Sequence, residues 1–348
     1  MASLTQTAIL TRKTIRYSVY LVVIVISIRM LFGLASTVYQ YFFPPPAPAP
    51  TISFGKLPAI PFPEKLTPTG LTYTLETPEG SLPSFSEQVN VYYMTPPTSN
   101  LLALDVTKEK ATSLGFADTG EMLSQTNYKF THPKLNKQLV IDIISGAFSI
   151  SYDLKSDSSP LEGRPTPPEV ATADVRSYLS SADLLPEDLT GRSEYEYFKI
   201  EAGNLISALS LSEADLVKIN IFRQDYNEIP SVSPDPARAN VWFLVTGNRE
   251  SGKKFIGAEY HYFPVDEDQS STYPIKTSLQ AWEELVNGNS FIAQYNPQEA
   301  TNIIIRRVYL AYYDAGLPIE FYQPVIVFEG DNDFVAYVPA ISQEYYGD

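Results

Sequence analysis

The one short motif in this 348-residue chain with residue types suited to covalent catalysis is Ser251-Gly-Lys-Lys254, within NRESGKK. In Ser-x-x-Lys chemistry the lysine amine takes the serine proton. That needs the serine at the start of a buried helix and the lysine one turn on, desolvated so that its pKa falls. Here the tetrad lies between two strand-like runs, NVWFLVTG and KKFIGAEYHYF, so it reads as a polar hairpin turn with both groups in water. His132 and His261 are the only histidines, and neither belongs to a His-x-x-x-His pair or an Asp/His cluster. The acidic stretches DEDQ (266–269) and GDND (330–333) offer hard oxygen ligands but lack calcium-loop spacing, and read as solvated turns. Cysteine is absent, which excludes disulfides and thiolate chemistry. There is no nucleophile elbow, P-loop or dinucleotide fingerprint. With 40 acidic residues many carboxylate pairs are available to glycoside chemistry, yet nothing nominates one. The expectation is therefore a protein with no catalytic residue, metal or cofactor.

The elements that would position any site begin with an apolar run. From Tyr17 to Phe43 the only charge is Arg29, and ~20 apolar residues suffice to cross a bilayer as a helix. The run is too long for a signal-peptide core, so the segment APA at 47–49 does not read as a cleavage site. Arg12, Lys13 and Arg16 precede the run, and the next positive charge after it is Lys56. The positive-inside bias predicts residues 1–16 as a cytoplasmic tail, 17–43 as an uncleaved anchor in the cytoplasmic membrane, and the C-terminal body outside. A charge near mid-bilayer costs ~2.5–3.5 kcal/mol on insertion scales. Either the long span tolerates Arg29 by snorkelling, or a partner helix meets it. Gly33 and Thr37 share a helix face one turn beyond Arg29, and with Ser36 they form a small-residue surface that permits close helix approach. Arg29, Gly33, Ser36 and Thr37 are thus the expected contact to another membrane protein. PPPAPAP and the proline-rich stretch after it read as an extended spacer over 44–70.

The formal net charge is −15, and the first 40 residues hold four basic residues and no acid, so the rest is more acidic still. Such a body repels nucleic acid. Its pattern reads as an α+β fold of about three units, each with one helix and antiparallel strands, over 71–155, 167–265 and 273–348. The helices fall at 101–116, within 167–185 and at SLQAWEELVNGN. The runs TNYKFTH, KQLVIDII, AFSISYDL, YEYFKIEA, LVKINIFR, IIIRRVYLAYYDA, FYQPVIVFE and DFVAYVPAI read as strands. PVDEDQSST (264–272) reads as a break between units. The 24 tyrosines, many on these strands, serve packing between units, a protein interface or stacking on sugars.

AWEELVNG, VYLAYYD, QPVIVFEG and VAYVPAI together resemble the closing unit of YycH/YycI-type, PepSY-like extracytoplasmic modules, over 275–345 and faintly over 100–155. The matching residues are Trp282, Leu285, Gly288, Tyr309, Tyr312, Pro324, Tyr337 and Pro339, all in fold-building roles. The resemblance implies a single span, a body outside the cell, and contacts that restrain a sensor kinase. The expected function is a membrane-anchored regulatory or scaffolding protein. The alternative is a glycan-binding module or envelope-processing enzyme.

Overall fold

The computed structural model describes residues 4–42, 48–65, 68, 70–250, 252–296 and 301–347. The chain divides into two compact units, Met1–Ala49 and Pro50–Asp348. The first is one helix, α1 (Leu4–Phe42). Its segment Thr11–Tyr39 is long and apolar enough to cross a membrane, and none of it is buried in the protein.

The second unit opens with β1 (Thr72–Leu75), β2 (Gln88–Met94) and α2 (Ala103–Ser113). Then come β3 (Gly120–Met122), β4 (Asn127–Thr131), β5 (Lys137–Asp142), β6 (Phe148–Tyr152) and α3 (Pro168–Ser181). The next strands are β7 (Ser193–Glu201), β8 (Asn204–Ser207), β9 (Leu216–Ile221), β10 (Ser231–Val232), β11 (Val241–Thr246) and β12 (Phe255–Tyr260). β13 (Val265–Pro274) and α4 (Ser278–Val286) lead to β14 (Phe291–Gln294), β15 (Asn302–Tyr313), β16 (Phe321–Tyr322), β17 (Pro324–Gly330) and β18 (Val335–Pro339). This is the α+β architecture that the sequence implies, with a largely antiparallel body.

Nine strands form one antiparallel sheet in the order β3-β4-β5-β6-β12-β11-β9-β7-β8. The strands of the first two sequence units meet edge to edge, Ile150 opposite Ala258 and Ser149 opposite Glu259. Alternation along β5, β6, β9 and β11 turns Leu139, Ile141, Phe148, Ile150, Ile219 and Phe243 to one face. The helices cover that face, with Ala111 of α2 and Ala171, Val175 and Leu179 of α3 buried against it. Spacing of three to four residues places the α3 set on one stripe. The Tyr178 hydroxyl donates to the Leu114 carbonyl at 2.8 Å and ties the two helices together.

A second layer has the order β1-β15-β17-β18-β14, with β10 added beside β15. A three-stranded sheet, β13-β2-β16, and α4 pack on it around Ile305, Tyr312, Ile326, Phe328 and Leu285. α4 starts with a reciprocal capping box: Thr277 accepts from the Gln280 N–H, and the Gln280 side chain accepts from the Thr277 N–H. The rings of Tyr312 and Tyr322 stack at 5.0 Å, with Tyr92 and Tyr226 at their edges, so these tyrosines serve internal packing.

Two stretches differ from the sequence reading. The stretch 264–272, expected as a break, falls almost wholly within the strand Val265–Pro274, which pairs along β2 with the ladder interrupted between Asp266 and Ser270. The irregularity absorbs the polar DEDQ segment, and pairing with an apolar strand overrides its composition. The lead-in expected as a spacer to residue 70 is part of the body from Pro50. Leu57 is fully buried, Ile60 is buried, and Phe62 stacks on Phe291 at 4.8 Å. Burying Leu57 contributes ~2 kcal/mol, and Ile60 and Phe62 add to it in offsetting the cost of ordering a proline-rich segment.

The layers meet at Arg223, just past β9 and fully buried. Its Nε donates to Asp314 at 2.8 Å, Nη1 to Asp188 at 2.6 Å, and Nη2 to the Phe263 carbonyl. Removing the guanidinium would strand two buried carboxylates. Arg223→Met should therefore lower stability by ~3–5 kcal/mol in urea unfolding followed by circular dichroism. Arg238→Met, which removes a half-exposed arginine 3.7 Å from Glu259, should cost less than ~1 kcal/mol.

Candidate functional site

On α1, residues 29, 33, 36 and 37 follow i, i+4, i+7, i+8 spacing and lie on one face. Arg29, Gly33, Ser36 and Thr37 are all exposed. The Ser36 and Thr37 hydroxyls both donate to the Gly33 carbonyl, at 2.8 and 3.0 Å, so they are satisfied without water. Apart from the adjacent residues and the helix's own backbone, no atom lies within 4 Å of where a Cβ on Gly33 would stand, which leaves a shallow notch beside them. Arg12, Lys13 and Arg16 are exposed on the same helix.

Of the Ser-x-x-Lys tetrad, Gly252, Lys253 and Lys254 lie between β11 and β12. Ser251 lies outside the described residues. Lys254 donates to Asp174 of α3 at 2.8 Å and so braces a helix to the sheet. His132 accepts at Nδ1 from the backbone N–H groups of Lys134 and Leu135. Burial, then the charges of Lys137 and Lys134, holds its pKa below the usual histidine range. Burial also lowers His261, against the opposing pull of Glu259. Asp331 of the GDND turn is bound by Arg306 at 2.7 and 2.8 Å, and Asp266 accepts from the Asp268 N–H at 3.1 Å. Among the described residues no three His, Asp or Glu side chains gather where they could hold a metal ion.

Two features were not nominated by the sequence. The first is Lys137, whose side chain is buried at the start of β5, its Nζ 3.2 Å from the Gly252 carbonyl and above the Phe116 ring. Burial lowers its pKa to about 8. The second is a cleft of about 800 Å³ where the two layers of the body face each other. Arg307 and Tyr309 alternate onto it from β15, with Glu329 opposite Arg307 on β17. A register shift leaves Arg306 out of the ladder and directs it to Asp331 and Glu76 instead. The facing wall comes from Arg192 and Glu194 at the start of β7, and from Phe222, Gln224 and Asp225 after β9. The Tyr309 hydroxyl donates to Glu329 at 2.5 Å. Burial first, and this carboxylate second, push the phenol well above its ordinary pKa. The Arg306-Arg307 doublet inside the otherwise apolar IIIRRVYL was the one sequence signal for this cleft. The facing residues Arg192 and Phe222 are far away in the chain and carry none.

The fold and the apolar helix together define an α+β body on a chain whose N-terminal helix is suited to a single membrane span. No family model matches the chain, and no curated protein does. Among solved structures, one similar chain is an uncharacterized protein from Eubacterium rectale ATCC 33656, at 12% identity and a TM-score of 0.36, covering 77% of this chain and 87% of that one. Another is the Bacillus megaterium YpeB C-terminal domain, at 13% identity and a TM-score of 0.32, covering 71% of this chain and 95% of that one.

Lys137 carries a pH signature. Its pKa of about 8 in the folded protein lies below the ~10.4 of an unfolded lysine, so between these values the unfolded chain binds more protons. Stability therefore rises with pH across that window, and the penalty is fully present below it. Lys137→Met should be more stable than the parent at neutral pH by up to ~3 kcal/mol, and the gap should shrink toward pH ~10. Urea unfolding of both proteins at several pH values measures this. A gap that does not change with pH would contradict it.

Proposed function

We propose that this chain is a single-pass regulatory or scaffolding protein of the cytoplasmic membrane that binds another membrane protein. In this reading the N-terminus lies in the cytoplasm and the acidic body lies outside. The supporting observation is the α1 face that joins Arg29 to Gly33, Ser36 and Thr37. An arginine at mid-span is costly alone, and a carboxylate or hydroxyl on a neighbouring helix would offset that cost. The notch at Gly33 lets such a helix approach closely, and the two satisfied hydroxyls require no water there. Arg12, Lys13 and Arg16 before the span favour the inward N-terminus.

The resemblance to YycH/YycI-type modules makes a sensor kinase the first partner to look for. The role is non-enzymatic, a reading supported by Lys254, whose ammonium is held by Asp174 rather than free to serve as a base.

Tagged full-length protein purified in mild detergent from its native membrane, beside an Arg29→Leu version, tests the proposal. A defined membrane protein identified by mass spectrometry should accompany the parent and be lost or strongly depleted with Arg29→Leu. The same partner at the same yield from both, or no partner from either, would sink the in-membrane contact.

A further inference from the structure

The cleft between the two layers has a charge arrangement that packing does not explain. Cations are outnumbered in this chain, 25 to 40, and Arg306 is tightly held, with bonds of 2.7 to 2.8 Å to Asp331 and Glu76. Arg192 and Arg307, two of the three arginines that line the cleft, are different. Arg192 lies 3.6 Å from Glu194 and Arg307 3.5 Å from Glu329, at the outer limit of hydrogen bonding. Each is instead stacked on a ring, Arg192 over Phe222 at 4.1 Å and Arg307 over Tyr309 at 4.3 Å. Stacking fixes the plane of a guanidinium and leaves its N–H edge available to a carboxylate. Glu329 cannot satisfy Arg307 alone, because its other oxygen accepts from the Tyr309 hydroxyl.

Carboxylates line the same cleft. Asp225 and Glu228 are both exposed there. Glu228 sits in a turn in which it and Asn227 both have left-handed backbone, φ 65° and 51°, a conformation uncommon outside glycine. The Asn227 amide anchors that turn by donating to the Tyr92 hydroxyl at 2.9 Å. Arg223 reaches the wall, but its donors are taken by Asp188, Asp314 and Phe263. The groups left for a ligand are thus two stacked guanidinium edges and at least two carboxylates. They line a volume within the range of small-molecule sites.

We infer that this cleft binds a small zwitterion, of the size of a short peptide, that carries one carboxylate and one ammonium. Arg192 and Arg307 take the carboxylate, and Asp225 and Glu228 the ammonium. A simple anion would meet the repulsion of a body whose chain carries −15, and a simple cation would leave the two arginines unused. A zwitterion is neutral overall and escapes both costs. The inference goes beyond the membrane-partner reading and stands independently of it.

Titration calorimetry on the full-length protein in a non-ionic detergent tests this with tri-alanine, N-acetyl-tri-alanine and tri-alanine amide. Tri-alanine should bind, and each blocked form should bind roughly tenfold more weakly or worse. Arg192→Gln and Arg307→Gln should each weaken tri-alanine by about tenfold, and Arg306→Gln should leave it unchanged. If one cleft variant fails to fold, the other, on the opposite wall, carries the same test. The inference is overturned if tri-alanine gives no binding up to ~10 mM, if the acetylated form binds equally well, or if neither cleft substitution has an effect.

Discussion

The body depends on the arginine buried between its layers. Arg223 lies where the chain leaves the nine-stranded sheet. Asp188 is in a short turn beside that sheet, and Asp314 follows the longest strand of the other layer. The Tyr226 hydroxyl also donates to Asp188, at 3.0 Å, and the guanidinium lies 4.4 Å above the Tyr262 ring. Taking these charges out of water is expensive, so the cluster adds less net stability than its short distances imply. Its effect is geometric. A different seating of the two layers would separate Asp314 from Arg223 and leave that carboxylate without its counter-charge, which favours the arrangement observed.

That seating explains how a discontinuous layer holds together. Residues 101–263 are enclosed between β2 and β13, which pair with each other and bring the chain back to where it departed. Asn240, at the start of β11, donates to the Asp314 carbonyl at 2.8 Å, and Ser231 and Tyr322 share a hydrogen bond. The contacts extend the junction around Arg223 from both sides. The cleft is what remains where the two layers stop touching, so its walls are fixed by the same contacts that fix the junction. A site built in this way is in place before any ligand arrives.

Local signals in the sequence survive into the fold. α2, α3 and α4 lie within the stretches whose apolar spacing marks them, and the Ser145-Gly146 hairpin has Gly146 at φ 75° where the turn requires it. Long-range choices were not legible. Nothing in AFSISYDL or KKFIGAEYHYF says that the two strands pair, because both alternate as any half-buried strand does. The polar stretch DEDQSS hides a strand whose partner lies far upstream. Arg223 gives no signal, since in INIFRQD it is followed by Asp225 and reads as an ordinary charged end to an apolar run. Its meaning comes from Asp188 and Asp314, 35 and 91 residues away. The face of α1 could be read because its residues are close in sequence, whereas the cleft joins residues on different strands.

The junction makes two layers into one cooperative body. The protein's two tryptophans report on it separately: Trp242 lies on β11 of the nine-stranded sheet, and Trp282 on α4, against Phe328 of the other layer. Urea unfolding of the Trp242→Phe and Trp282→Phe variants, each followed by the fluorescence of its remaining tryptophan, compares the layers directly. Once each curve is corrected for the change in stability that its own substitution causes, measured by circular dichroism, the two transitions should coincide. Two separate midpoints would contradict this cooperativity, because the layers would then be independent domains and the cleft between them would not be a fixed site.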